Sequence, residues 1–449
     1  MNKIIEIEIK KLGINGEGIG YYHKKAVFVD DVLPGEVVKV EILQNLDQMI
    51  YANLVEVLVA SKDRLPIEYP HQQKTGAFAL QHIPYNLQIK LKRDMLINAF
   101  NRYVETKIPY SIIRGMVPSD NIYAYRNKVS LPVRKIGGKN KFGLYEKNSN
   151  IFVPINDAKT QDVKINELLE KIENLLDKHR FDGYIQKEHS GYIKSVVIRR
   201  TTNNKEIQIS FLLMKKYPDM HNFIKELISL SDEIKSVYAF YTDNYKEQVF
   251  FTNKYEILYG SKTITETLNN QTFDLYPESF FQLNTPQAHK LYQAMKKLGH
   301  LSKDSVAIDA YAGSAVVSHY ISNDVKKVYA IEKESKSVQS AKESLEINNI
   351  HNVEVLQMDF KDALKKLKNE TIDVMFFDPP RTGLGRDTIE EVIKFKPKKI
   401  VYTSCNPSTL AKDLNELTKL YKVIEVLPFD MFPFTPHVEC VVLMSRVGK

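Results

Sequence analysis

Two cysteines, Cys405 and Cys440, are all that 449 residues contain, and tryptophan is absent. So few thiols exclude a disulfide scaffold and any all-cysteine metal or cluster site. No apolar run reaches the roughly 18 residues that a membrane-spanning helix needs. The opening MNKIIEIEIK lacks the charged-then-apolar pattern of an export signal, so a cytoplasmic location is expected. Low-complexity tracts and long heptad arrays are missing too. The length is enough for two or three domains with real cores.

The charge that is present is unevenly placed. The formal net charge is +8. Residues 1–60 hold 6 Lys/Arg against 9 Asp/Glu, whereas residues 61–150 hold 16 against 6. That second stretch also carries ten Phe/Tyr, among them Tyr85, Tyr123 and Tyr125, and the run Tyr125-Arg126-Asn127-Lys128. Basic residues neutralise phosphates and interleaved aromatics stack on bases, so the stretch reads as a nucleic-acid-binding surface, with Arg126 and Lys128 as candidate contacts. The competing reading is a solvated basic face whose aromatics lie in the core.

Residues 1–59 read as a small all-β unit. IIEIEIKKLG alternates at period two, and glycine turns separate it from AVFVDDVLPGEVVKVEIL and YANLVEVLV. Four or five short strands suggest a small barrel of the OB type. Its acidity argues against tight phosphate binding by the whole unit, although one face could touch RNA. Residues 60–270 read as a central α+β region. Helices are expected over NLQIKLKRDMLINAFNRY and INELLEKIENLLDKH, with strands over SVVIRRT, EIQISFLLM, VYAFYT and QVFFT. From 271 to 449 a helix follows Pro277, and apolar strands then alternate with helices: SVAIDAYAG, KKVYAIEKE, NVEVLQMD, IDVMFFDPP, KKIVYTSCNP, ECVVLMSRV. That alternation predicts an α/β, doubly wound, mainly parallel Rossmann-like sheet.

The strand VAIDAYAG ends in a turn containing Gly313, and the next strand ends nineteen residues later at Glu332. An acid at about that distance past a glycine turn accepts hydrogen bonds from ribose hydroxyls. Asp359 and Asp378 end the following two strands. No GxGxxG or GKS is present to cradle phosphates, so an adenosine ligand without phosphates fits, and S-adenosylmethionine is the common one. Cys405 follows the strand KKIVY and precedes a helix, where helix amides can favour the thiolate and lower its pKa. A buried structural cysteine is the other reading. Cys440, inside VECVVLM, reads as core. Arg381 follows two prolines and could pair with phosphate or with an acid. Glu439 starts the last strand.

The set FFQLN (280–284), DAYAG (309–313), DPPRTGL (378–384), SCNP (404–407) and PHVE (436–439) resembles the RNA uracil-5-methyltransferases, most of all the bacterial 23S ribosomal RNA branch, with transfer RNA enzymes second. The N-terminal unit resembles their TRAM domain. The resemblance implies Cys405 as nucleophile and Glu439 as general base. It implies Gln282, Tyr311, Gly313, Glu332, Asp359 and Asp378 as contacts of S-adenosylmethionine, and RNA as partner of a chain taken by default as a monomer. Carbon 5 of uracil is a poor nucleophile; thiolate addition at carbon 6 activates it, and a base must later remove its proton.

Two departures from the family pattern stand out. Many members hold an iron–sulfur cluster on a segment like CPHxxxCGGCxxQH. Here YPHQQKTGAFALQH places Tyr69, Thr75 and Phe78 at the cysteine positions, and the fourth falls near Ala158. No cluster or metal is expected, and Tyr69 and Phe78 should pack in its place. The glycine turn has Ala312 and Ala315 where the family tends to have cysteine and a second glycine, and Val316 for a polar residue. A left-handed backbone at Ala315 would be strained. The altered turn leaves open an inactive RNA-binding relative. An amino-group methyltransferase would want an aromatic at position 381.

Overall fold

The computed structural model describes residues 3–185, 188, 190–214, 219–244 and 249–447. The chain forms two compact units: residues 1–122, 290–311 and 360–449 in one, and 123–289 and 312–359 in the other. Each is described by itself.

The first unit opens with a closed five-stranded barrel: Ile4–Leu12, Gly18–Tyr22, Lys25–Val29, Val37–Asn45 and Met49–Val59. Strict alternation sends Ile5, Ile7 and Ile9 inward, where they meet Val27, Val29, Val38 and Val40. Buried Glu36 receives a fork of two bonds from Arg64, both 2.6 Å, and so pins the chain as it leaves the barrel. A short helix, Pro70–Thr75, stops at Gly76 in the left-handed region (φ 79°). The rings of Tyr69 and Phe78 then meet edge to face at 6.1 Å, and Phe78 lies 4.5 Å from Phe434. The aromatic packing expected at the missing cysteine positions is present. The long helix Tyr85–Tyr103 follows.

The unit closes on five strands in the order Val306–Ala310, Val374–Phe377, Lys399–Ser404, Glu439–Arg446, Tyr421–Phe429. The first three are mutually parallel, and Glu439–Arg446 runs antiparallel to both of its neighbours. The first three are almost wholly apolar, as buried parallel strands must be. The strand Tyr421–Phe429 escaped the sequence reading because Lys422, Glu425 and Pro428 interrupt its pattern.

The second unit is built on a seven-stranded sheet in the order Tyr255–Gly260, Ile234–Tyr241, Ile207–Leu213, Ile193–Arg200, Lys128–Ile136, Lys139–Tyr145, Phe152–Pro154. The helices Val163–Lys178 and His221–Ile228 cover it through Leu168, Leu169, Ile172, Phe223 and Leu227. Asp162 caps the first of these by accepting from the amides of Lys164 and Ile165. Two hairpins went unread in the sequence. One turns on Gly137-Gly138 and the other on Asn269-Asn270, all four with positive φ. Both are tight-turn signals of the primed kind. The strand expected over QVFFT is a correction. Gln248 lies outside the described residues, and Val249–Thr252 is irregular. Val249 and Phe251 instead pack on Leu212, Tyr238 and Phe240, and the edge strand begins at Tyr255. This unit also holds the parallel pair Lys327–Glu332 and Val353–Gln357, with the helix Ser335–Ile347 between them in sequence.

Candidate active site

In the first unit the strand Lys399–Ser404 ends beside the start of the last strand, with Ser404 opposite Cys440. Cys405 follows directly on Ser404, just past the end of that ladder, while Glu439 begins the opposing strand. Glu439 is 4% exposed, and burial, aided by the charge of Asp378, pushes its carboxyl up to about 8 while Arg381 opposes the shift. Asp378 is itself raised to about 7 by burial and by Asp309, which is buried behind it. Cys405 is half-buried, and its thiol is pushed up to about 11 by burial first and then by Glu439 and Asp378, against the pull of Arg381. The lowered thiol pKa expected from the helix N-terminus is therefore corrected. Asn406 caps the helix Pro407–Leu417 and its side-chain oxygen already takes the amides of Ser408 and Thr409. The positive end of the helix is spent on the cap, while two carboxylates and a dry setting act on the sulfur.

Two segments hold this group in place. The turn 378–385 is anchored by Asp413, whose Oδ2 accepts from the Leu384 amide at 2.7 Å and from the Tyr402 hydroxyl at 2.6 Å. Gly383 (φ 80°) is obligatory there, because a Cβ would sit 2.5 Å from the Asp413 carboxylate. Thr409 donates to the carbonyl of Arg381, whose guanidinium stands 3.4 Å from His437. The segment before Glu439 is latched to the helix Tyr85–Tyr103: Lys92 meets Asp430 at 2.6 Å with both side chains buried, and Gln88 accepts from the Phe434 amide. Asp413 and Lys92 carried no readable signal in the sequence, and Asp309 entered it only as the first letter of DAYAG. An acid or lysine inside an apolar run is the only hint, and it says nothing of a partner.

Tyr311 closes the strand Val306–Ala310 with a left-handed backbone (φ 61°), its ring stacked 5.9 Å from Phe360. In the second unit Gly313 (φ 55°) donates its amide to Glu332 Oε2 at 2.9 Å, and Lys333 and Glu334 donate theirs to Oε1. Three amides thus hold the carboxylate in one orientation. Ala315 is left-handed as well (φ 59°), so the strain foreseen at this position is real, at about 1 kcal/mol or more. It persists because the methyl is fully buried against Ala330 and Ala341. Gln282 is buried, and the segment around it is clamped by Asn127, whose amide group reaches the Gln282 carbonyl at 3.0 Å and Thr285 at 2.9 Å. The middle of the run Tyr125–Lys128 thus serves FFQLN, which the sequence reading missed. Asp359 is half-buried two residues past the strand Val353–Gln357. Lys128 lies over the Phe251 ring at 5.4 Å, its ammonium pulled down to about 7 by burial and by Arg199. Arg126 bridges through its backbone to Gln161. Of the named aromatics, Tyr125 is core, Tyr85 accepts from the Ser119 amide, and Tyr123 is exposed.

These residues fit S-adenosylmethionine. In the first unit Asp309 and Asp378 are two buried acids that repel each other, a pairing that a sulfonium cation would relieve; in the second the Glu332 carboxylate is held at the end of its strand, the place where such folds bind a ribose. Among the described residues no group of three or more His, Cys, Asp or Glu could hold a metal ion, and no helix is long and apolar enough to cross a membrane.

Fold and site together define a Rossmann-like, S-adenosylmethionine-dependent methyltransferase preceded by a small barrel. Residues 85–447 match the model of the tRNA (Uracil-5-)-methyltransferase family and residues 2–55 that of the TRAM domain, so the chain belongs to this family of RNA uracil-5-methyltransferases. A relative from Lactobacillus johnsonii, named as an uncharacterized RNA methyltransferase, is 34% identical over 100% of this chain and 98% of its own. One of the same name from Listeria monocytogenes is 34% identical over 99% and 97%. The crystal structure of Pyrococcus abyssi tRNA (uracil-54, C5)-methyltransferase in complex with S-adenosyl-L-homocysteine superposes with a TM-score of 0.77 at 25% identity, covering 98% of this chain and 100% of that one. The family, the fold class, the cofactor and RNA as substrate, all expected from the sequence motifs, hold.

Proposed function

We propose that the chain methylates carbon 5 of a uridine in ribosomal RNA through a transient bond between Cys405 and carbon 6 of the ring. The observation that carries the reading is the grouping of Cys405, Glu439 and Arg381, whose charges act on one another where the strands Lys399–Ser404 and Glu439–Arg446 meet. The Cys405 thiol gives up its proton to solvent, and the thiolate adds to carbon 6. The electron pair moves to carbon 5, which becomes nucleophilic. S-adenosylmethionine supplies, when bound, a methyl group on a cationic sulfur. The ionised form of Glu439, whose fraction grows as pH approaches 8, then removes the proton from carbon 5, and the electrons left behind expel the Cys405 sulfur. Gln282, Tyr311, Gly313, Glu332, Asp359 and Asp378 are assigned to holding the cofactor. Arg381 is the RNA contact beside the ring, and Arg126 and Lys128 are outer contacts; a phosphate at Lys128 would restore the charge that burial removes.

RNA carrying 5-fluorouridine tests the reading, because fluorine at carbon 5 cannot be removed as a proton. The wild-type chain should form a covalent complex that survives denaturation, and Cys405→Ala should form none. A complex that persists in the variant would reject this nucleophile. Transfer RNA is the second reading, favoured by the likeness to the Pyrococcus enzyme. Mass spectrometry of 5-methyluridine in ribosomal and transfer RNA from a deletion strain separates the two.

A further inference from the structure

The edge strand Tyr255–Gly260 of the second unit carries an unusual face. Tyr255, Ile257 and Tyr259, at period two, are 51%, 37% and 39% exposed. Beside it opens a cavity of about 200 Å³ bordered by Tyr238, Tyr255, Tyr276, Glu278, Lys262 and Lys336. Its rings are held. Tyr238 lies 5.8 Å from Tyr255 and donates its hydroxyl to the Lys262 carbonyl, while Tyr276 donates to Glu343 at 3.1 Å. Lys336 pairs with Glu278 and sits 5.9 Å from the Tyr255 ring centre. The ammonium of exposed Lys262 makes no ion pair among the described residues. None of these side chains belongs to the cofactor or catalytic set assigned above.

We infer that this pocket takes one unstacked nucleotide of the substrate RNA, separate from the target uridine. The base stacks on the exposed ring of Tyr255. Glu278 offers a carboxylate to an exocyclic amino group, as acids do toward cytosine or adenine. Lys262 stands at the rim for a flanking phosphate, and because Lys336 is matched by Glu278 the border keeps one net positive charge. Sequence-tolerant stacking with an adjoining cationic rim is how single-stranded RNA is held. The inference rests on RNA as the substrate class, not on the thiol adduct or on which RNA is modified.

The test uses the full chain in a Cys405→Ala background, so that adduct formation plays no part and a failure of the catalytic reading is scored separately. Unmodified ribosomal RNA and transfer RNA transcripts serve as probes in equilibrium binding. Tyr255→Ala should weaken binding of the preferred RNA by about 5- to 150-fold, the effect of losing one base–aromatic stack. Tyr255→Phe, which keeps the ring, should bind within about twofold of the parent, by the same stacking argument. Lys262→Glu, at an exposed position that cannot disturb the core, should also weaken it. Calorimetric affinity for S-adenosylmethionine should not change in any of them. Parent-like binding by both Tyr255→Ala and Lys262→Glu, or binding of neither RNA by the parent chain, overturns the inference.

Discussion

Glu439 keeps its proton up to about pH 8, well above an ordinary glutamate, because burial and the neighbouring Asp378 both penalise the charged form. Two outcomes follow at this one carboxyl. If it removes the carbon 5 proton, Glu439→Gln should lower turnover by about 10²–10⁴-fold. Carbon–sulfur elimination would then stall, and ordinary uridine RNA should accumulate as a covalent complex visible on a denaturing gel; a variant that turns over at the parent rate would remove Glu439 from the reaction. The second outcome concerns stability. Between pH 4.5 and about 8 the unfolded chain has released this proton and the folded chain has not, so folding binds a proton. Stability is therefore full below pH 4.5 and falls as pH rises, by up to about 1.4 kcal/mol per unit. Asp378, raised from 3.8 to about 7, adds a decline of the same sign. Urea midpoints measured from pH 5 to 8 should fall in the parent and fall less steeply in Glu439→Gln. Parallel curves would mean that the residue titrates normally. None of this was visible in PHVE as letters: the shift comes first from burial and then from Asp378, some sixty positions away, while Arg381 opposes it.

At the scale of elements, the turn 378–385 shows what a sequence tells and what it withholds. Its prolines and glycines announced a rigid turn, and the apolar strand before it announced its place at a strand end. What fixes the turn is Asp413, on a helix some thirty residues further along, which accepts from Leu384 and Tyr402. Removing that carboxylate leaves two buried donors unmet, at about 1–3 kcal/mol each. Asp413→Ala should thus lower unfolding stability by roughly 2–5 kcal/mol, whereas Asp413→Asn, which keeps one accepting oxygen, should lose less and retain more of its trapping rate with 5-fluorouridine RNA. Equal losses in the two variants would show that packing rather than hydrogen bonding holds the turn. The same contrast runs through the chain. Buried parallel strands such as VMFF and KIVYTS were legible because apolar content alone specifies them. The hairpins at Gly137-Gly138 and Asn269-Asn270 were readable but unread, since their flanking strands are mostly polar on one face. The irregular path of Val249–Thr252 was not readable, because a buried loop and a buried strand share one apolar composition.

For the whole molecule the question is how much of the basic surplus in residues 61–150 faces RNA. Much of it is already engaged within the protein. Lys92 is paired with Asp430, Arg64 with Glu36, Arg114 with Glu425, Lys135 with Asp182 and Lys141 with Glu173. Arg93 is bonded to the carbonyls of Ile113 and Arg114, and Arg134 to its own strand and Tyr145. Lys62, Lys90 and Lys107 are exposed and make no ion pair among the described residues. Composition alone overstates the electrostatic footprint, since a charge with an internal partner releases few counterions when RNA binds. Each phosphate neutralised on a single strand contributes about −0.7 to the slope of log affinity against log salt. Replacing Lys62, Lys90 and Lys107 together by Ala should therefore flatten that slope by roughly 2 and weaken binding at low salt, with the melting temperature unchanged. Lys135→Ala, which removes a residue already paired with Asp182, should leave the slope within error of the parent. If instead Lys135→Ala flattens the slope and the triple variant does not, RNA competes successfully for the internal ion pairs, and its path crosses the strand Lys128–Ile136 rather than the helix and loops of residues 61–110.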